Sequence, residues 1–209
     1  MIKCNVKVCG TVSRTAVVRA NRDGKPFMTY GLDVVFSPKN GINKTVNVNV
    51  IKDSGDAGEA AKYKVGSRIQ VEGVLTFKKR GEALYLDLSE TAVDFFPVDT
   101  KDSIEGEMTF RGSPGKNIDM KRDKKDKPYL AFSAYSAEKV SDGFEYTWVR
   151  FIRFSDARED FLSPKTPIEA TGELDLSVYN DKLNIGCRLA SVNKWDKKPY
   201  QPANEEMPF

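Results

Sequence analysis

The sequence predicts an all-β fold: two tandem five-stranded barrels, each with a short helix between strands 3 and 4. Three observations predict it. Apolar and polar residues alternate along most of the 209-residue chain, the two-residue period of a half-buried strand. The second half repeats the first at a nearly constant shift. Helical periodicity is rare, and a plausible helix start, Asp-Ala-x-Glu, occurs in each copy.

The alternation is clearest in Thr45-Val-Asn-Val-Asn-Val50, whose valines face one way and asparagines the other, and again in Ile69-Gln-Val-Glu-Gly-Val-Leu75. Ile69, Gly73, Leu75, Leu84 and Val93 recur as Ile168, Gly172, Leu174, Leu183 and Val192, all 99 positions later. Asp56-Ala-Gly-Glu59 returns as Asp156-Ala-Arg-Glu159 at a shift of 100. Upstream, Lys25-Pro-Phe27 parallels Lys127-Pro-Tyr129, and Gly10 parallels Gly106. Agreement of this kind is hard to obtain by chance, so the chain reads as an internal duplication.

In the first copy the strands fall near 2–12, 27–36, 44–52, 68–77 and 84–95, with a helix near 56–63 capped by Asp56. In the second they fall near 103–111, 129–138, 144–154, 167–177 and 182–194, with a helix near 156–162. Five strands with a helix between the third and fourth is the order of an OB-fold barrel. The first barrel is expected over 1–98 and the second over 103–196, joined by a short linker around Pro97–Asp102. Residues 197–209, with three prolines and few apolar side chains, read as a mobile tail.

Composition narrows the function. The chain has no histidine, which removes Ser-His-Asp and Cys-His nucleophile systems and His-based zinc sites. Its three cysteines form no CxxC pair and read as buried thiols in a reduced compartment. No GxxxxGK[ST] or GxGxxG loop is present to cradle a phosphate. The expectation is a protein that is not an enzyme and uses no cofactor or metal. No apolar run exceeds four residues, too short for a membrane span or a secretory core, so a cytoplasmic location is expected. With 33 basic and 30 acidic residues the net charge is only +3, and any electrostatic signal lies in where the charges sit.

An OB barrel takes oligonucleotides across its second and third strands. The third strand of copy two, Tyr146-Thr-Trp-Val-Arg-Phe-Ile-Arg-Phe154, puts Tyr146, Trp148, Arg150, Ile152 and Phe154 on one face. Matching Val46, Val48 and Val50 to Val149, Phe151 and Arg153 makes the other set the core side, with Arg153 the poorest fit. The second strand adds Tyr129 and Tyr135 to the outward face. Aromatic rings offer base-stacking platforms, and an arginine among them offers a phosphate or stacking contact. In copy one the matching positions are Asn47, Asn49, Phe27 and Asp33, so most of the platform is missing. Copy one is expected to contribute through loops: Arg14, Arg19, Arg22 and Lys25 after its first strand, and Lys78, Lys79 and Arg80 in its last hairpin. Copy two carries the denser run Lys121-Arg122-Asp-Lys124-Lys125-Asp-Lys127 before its second strand. Basic loops bordering a groove can track a phosphate backbone.

The chain ends Asn204-Glu205-Glu206-Met207-Pro208-Phe209: carboxylates around an exposed Met and Phe, the chemistry of a short peptide ligand. With Thr147-Trp-Val-Arg150, Phe154 and Thr171-Gly172-Glu173-Leu174, this ending resembles the bacterial single-stranded DNA-binding protein family, in its form with two OB domains per chain. The resemblance is best over copy two. It implies sequence-independent binding of single-stranded DNA in replication, recombination or repair, with Trp148, Arg150 and Phe154 on the DNA. It further implies a homodimer, and recruitment of replication and repair proteins by Glu205, Glu206, Met207, Pro208 and Phe209. The chain departs from the family in its nearly absent linker and in having Glu and Met at the tip where Asp and Ile are usual. A replication-accessory or protein-interaction module with weak nucleic-acid binding is the alternative, favoured by the poor platform of copy one.

Overall fold

The computed structural model describes residues 1–37, 42–98, 101–141 and 143–196. The expected tail 197–209, with its tip Glu205, Glu206, Met207, Pro208 and Phe209, lies outside them. Ten strands and one short helix follow in order: β1 (Ile2–Ala20), β2 (Pro26–Phe36), β3 (Lys44–Asp53), α1 (Ala57–Ala60), β4 (Arg68–Arg80), β5 (Ala83–Asp94), β6 (Ser103–Arg122), β7 (Pro128–Val140), β8 (Gly143–Arg153), β9 (Ile168–Tyr179) and β10 (Lys182–Lys194). The fold is all-β, as the alternation predicts.

Each half closes on itself. β1 pairs with both β2 and β4, β2 with β3, β3 with β5 in parallel, and β5 with β4. β6–β10 repeat this circuit, including a parallel β8–β10 pair. A five-stranded closed sheet with this strand order is an OB barrel. Antiparallel pairing of β1 with β6, from Ile2 opposite Phe110 to Cys9 opposite Ser103, joins the two barrels into one sheet. Gly106 permits it, since a Cβ there would stand 2.0 Å from the Asn5 carbonyl oxygen.

The alternating valines supply the cores. Val48, Val50, Leu32, Val71 and Leu88 are fully buried in the first barrel. In the second, Phe151 packs edge-on to Phe110 and stacks on Phe132, both with ring centres 5.0 Å away. A fully buried ring of this kind contributes about 2–3 kcal/mol by removal from water. All three cysteines are buried and free.

Strand pairing fixes the correspondence between the copies and corrects three expectations. Leu32 opposes Val48 and Ala134 opposes Val149, so Val46, Val48 and Val50 match Thr147, Val149 and Phe151. Arg153 instead matches Lys52, because Met28 opposes Lys52 where Leu130 opposes Arg153. Gly10 matches Gly112 and not Gly106: a Cβ on Gly10 would meet the Asp33 carbonyl at 2.5 Å, and one on Gly112 the Tyr135 carbonyl at 2.1 Å. The first strand of each copy also runs well past its expected end, to Ala20 and Arg122, so Arg14 and Arg19 lie on a strand and not in a loop.

A fourth correction is the helix. In copy one, Asp56 Oδ1 accepts from Glu59 N at 2.8 Å and α1 forms, although it is only four residues long. In copy two no helix forms over 156–162. Arg153 takes the Glu159 carboxylate at 2.6 and 3.1 Å and donates to the Ala157 carbonyl at 2.6 Å. Lys52, a point charge, also pairs with Glu59 but leaves the backbone free to turn. The arginine fork holds the equivalent segment open by using a carbonyl that a helix would need.

Candidate nucleic-acid interface

In copy two, Tyr135 opposes Trp148 and Ser133 opposes Arg150 across β7–β8. Val149 and Phe151 point into the barrel, and their neighbours point out: Tyr146 is 45%, Trp148 51% and Phe154 63% exposed. The rings form two touching groups. Tyr135 lies 5.1 Å from Trp148 and 5.5 Å from Tyr146, and Tyr129 lies 5.9 Å from Phe154. Arg150 stands exposed between them, with no ion pair to any described residue. At about 3.3 Å per residue the row from Tyr146 to Phe154 is about 26 Å long.

Trp148 has a seat. A Cβ on Gly115 would lie 3.0 Å from the indole Cζ3 and 3.3 Å from Cη2, so any side chain here presses the ring out of its place, by a few tenths of an ångström for the Cβ alone. The equivalent of Gly115 in copy one is Ser13, whose hydroxyl accepts from Asn47, the equivalent of Trp148, at 3.0 Å. The rest of the matching face is likewise polar and internally satisfied. Asn47 donates to Asp33 at 2.7 Å, Asn49 to Asp87 at 3.1 Å, and Arg14 to Asn49 at 2.8 Å.

The row lies in a groove of about 1260 Å³ between the barrels. Trp148, Arg150 and Phe154 line one wall, and Asn47, Asn49 and Tyr85 of copy one line the other. Tyr85, 55% exposed, and Tyr179, 72% exposed, also line the groove, and sequence reasoning missed both. The signal was there for Tyr85: it sits between Leu84 and Leu86, where alternation calls for a polar residue.

The basic residues divide by environment. Lys79 lines the groove. Lys78 is tied to Asp87 at 2.7 Å, and Arg80 reaches Glu138 of the other barrel at 3.4 Å. Lys121 pairs with Asp119 at 3.6 Å and Arg122 with Asp126 at 3.0 Å. Lys124 and Lys125 ride on a tight turn in which Asp123 Oδ1 accepts from the Lys125 and Lys127 amides. Asn21 builds the same turn in copy one, accepting from Asp23 and Lys25. Because Lys121 opposes Tyr129, this turn stands at the Phe154 end of the row.

Electrostatics beneath the face are structural. Burial, the largest single effect, would raise the Glu159 carboxyl, but the Arg153 hydrogen bonds, a backbone hydrogen bond and the Arg153 charge together hold the group below its ordinary value. Burial, then the nearby Asp175 and Glu173 carboxylates, push the Cys187 thiol up to about 12, so this groove-wall sulfur is not a nucleophile. Among the described residues no three His, Cys, Asp or Glu side chains are grouped to hold a metal, and no helix is long and apolar enough to cross a membrane.

No family model matches this chain, and no curated protein matches it. Solved structures similar to it include several single-stranded DNA-binding proteins. The wild-type protein of Thermus aquaticus is 13% identical, with 97% of this chain and 98% of that chain covered and a TM-score of 0.45. The small single-stranded DNA-binding protein of Streptomyces coelicolor is 20% identical over 47% of this chain and 95% of its own, with a TM-score of 0.35. A Plasmodium falciparum protein in complex with single-stranded DNA is 20% identical over 43% and 90%, with a TM-score of 0.33.

Proposed function

We propose that this protein binds single-stranded DNA without sequence preference, by base stacking on copy two and phosphate contacts beside it, and serves replication, recombination or repair. The observation that carries the reading is the row of exposed rings Tyr146, Trp148 and Phe154 along and just past β8, backed by half-buried Tyr129 and Tyr135 of β7, with Arg150 unpaired among them. Exposed tryptophan, tyrosine and phenylalanine along one strand face leave apolar area in water that a fold gains nothing from exposing. Every base has a face to stack on them, so the interaction is indifferent to sequence. Trp148, Phe154, Tyr146, Tyr129 and Tyr135 take the bases and Arg150 a phosphate. Lys121, Arg122, Lys124 and Lys125 guide the strand at one end, and Lys78, Lys79 and Arg80 at the other. The chain works as a homodimer, and Glu205, Glu206, Met207, Pro208 and Phe209 recruit partner proteins.

The test is tryptophan emission during titration with oligo-dT at several salt concentrations, in a Trp195→Phe variant that leaves Trp148 as sole reporter. Quenching is expected, with affinity falling at a log–log slope of about −0.7 per phosphate contacted. Absence of both binding and quenching overturns the reading. Binding without quenching moves the site away from Trp148.

A further inference from the structure

We infer that two carboxylates of the protein occupy phosphate positions in the groove, so that DNA enters by displacing them from Lys44 and Lys182. The inference rests on the single-stranded DNA reading above and deepens it.

The two barrels touch at the tips of their last hairpins as well as along β1–β6. Gly81, with φ 58°, and Glu82 form the turn between β4 and β5. Asn180 and Asp181, with φ 48° and 57°, form the tight turn between β9 and β10, the backbone of a type I′ hairpin. Across the gap Lys44 Nζ binds Asp181 Oδ1 at 2.9 Å, and Lys182 Nζ binds Glu82 Oε2 at 3.4 Å. The Gly81 amide donates to Glu145 at 3.2 Å beside the Arg80–Glu138 pair. All four members of the two lysine pairs line the groove that holds Trp148 and Arg150.

Among the described residues, five basic and three acidic ones line that groove, and two of the three acids are the ones engaged with Lys44 and Lys182. Glu82 and Asp181 are each 90% exposed at the side chain; the Lys182–Glu82 pair is held in water and is worth little, while Lys44, 27% exposed, also donates to the Asp181 carbonyl oxygen and is held more closely. A phosphate is a better partner, because the charge along a nucleic acid strand carries condensed counterions whose release drives the exchange. The lysines therefore pass from carboxylate to phosphate as the strand enters, and the displaced acids take up cations from solution. That uptake cancels part of the ion release, so the native protein binds with a shallower salt dependence than its phosphate contacts alone would give.

The test compares oligo-dT binding, against salt, for the native chain, for Glu82→Gln with Asp181→Asn, and for Glu105→Gln with Glu107→Gln. The last pair removes the same charge from exposed β6 positions outside the groove. The Glu82/Asp181 variant should bind more tightly, by a few-fold to about twentyfold at low salt. Its log–log slope should steepen by up to about 1.4, at about 0.7 for each lysine released to a phosphate. The control should show a much smaller gain, and the gain should vanish when Lys44→Gln and Lys182→Gln are added to the Glu82/Asp181 variant. Equal gains in the two neutralised variants, or a gain that survives loss of the lysines, overturn the inference while leaving DNA binding intact. Failure of the native chain to bind overturns the underlying reading instead.

Discussion

Replacing Gly115 by valine tests the stacking platform without touching any ring. The Cβ alone would stand 3.0 and 3.3 Å from two atoms of the Trp148 indole, and the two γ-methyls reach further into the same space. The indole must leave its seat and with it the contact to Tyr135 at 5.1 Å. Folding should change by less than about 1 kcal/mol, since Trp148 is already half exposed and valine favours a strand more than glycine does. A lost base-stacking contact is worth about 1–3 kcal/mol, so oligo-dT affinity should fall between about fivefold and about a hundredfold. Urea unfolding and oligo-dT titration of Gly115→Val, both in the Trp195→Phe background, measure the two quantities separately. Unchanged emission with unchanged affinity would refute the seat. A shifted emission spectrum with unchanged affinity would refute Trp148 as a base platform.

Glu90 is a buried carboxylate in copy one, accepting from the buried hydroxyls of Tyr30 at 2.6 Å and Tyr63 at 3.0 Å. Glu90→Leu leaves both hydroxyls without their acceptor and should cost about 2–6 kcal/mol in urea unfolding, at about 1–3 kcal/mol each; adding Tyr30→Phe and Tyr63→Phe should recover much of it. Burial pushes the Cys4 and Cys187 thiols up to about 12 and raises the Tyr30 and Tyr63 hydroxyls further. Groups raised in the folded state stabilise it below their unfolded values, so stability measured by thermal unfolding should fall as pH climbs from about 8.5 towards 12; a flat profile over that range would contradict the buried assignments.

The sequence made the strands legible because burial on one face imposes a period that chance rarely produces, and the repeat then placed each strand twice. The limits came from comparing the copies by residue type. Val46, Val48 and Val50 aligned with Val149, Phe151 and Arg153 only by resemblance of side chains, and the true register is one alternation away. Arg153 betrayed the slip: a charged residue on the core side matches Lys52, and each holds the glutamate of the following segment. The second helix was misread for a related reason. Asp156-Ala-Arg-Glu159 carries the local signal for a helix start, but a tertiary partner, Arg153, claims Glu159 and overrides it. The groove was not legible at all, since its walls come from β3, β4 and β5 of one barrel and chiefly β8, β9 and β10 of the other, and no local pattern reports how two barrels face each other.

The register also explains why the two outward faces differ so completely on one backbone. Val48 and Val50 have apolar equivalents in Val149 and Phe151, because an inward position must fill the barrel whatever the protein binds. Outward positions carry no such constraint. There Asn47, Asn49 and Asp33 stand where copy two has Trp148, Arg150 and Tyr135. The copy-one set is closed upon itself through Ser13, Arg14 and Asp87, leaving few hydrogen-bonding groups wanting a partner. A base laid on it would have to bury two carboxylates that gain nothing in return, and that desolvation opposes stacking. A base laid on copy two covers rings and one free guanidinium. On the function proposed above, the two walls do different work: copy two stacks the bases, and copy one offers lysines to the phosphates from a polar surface that takes no base.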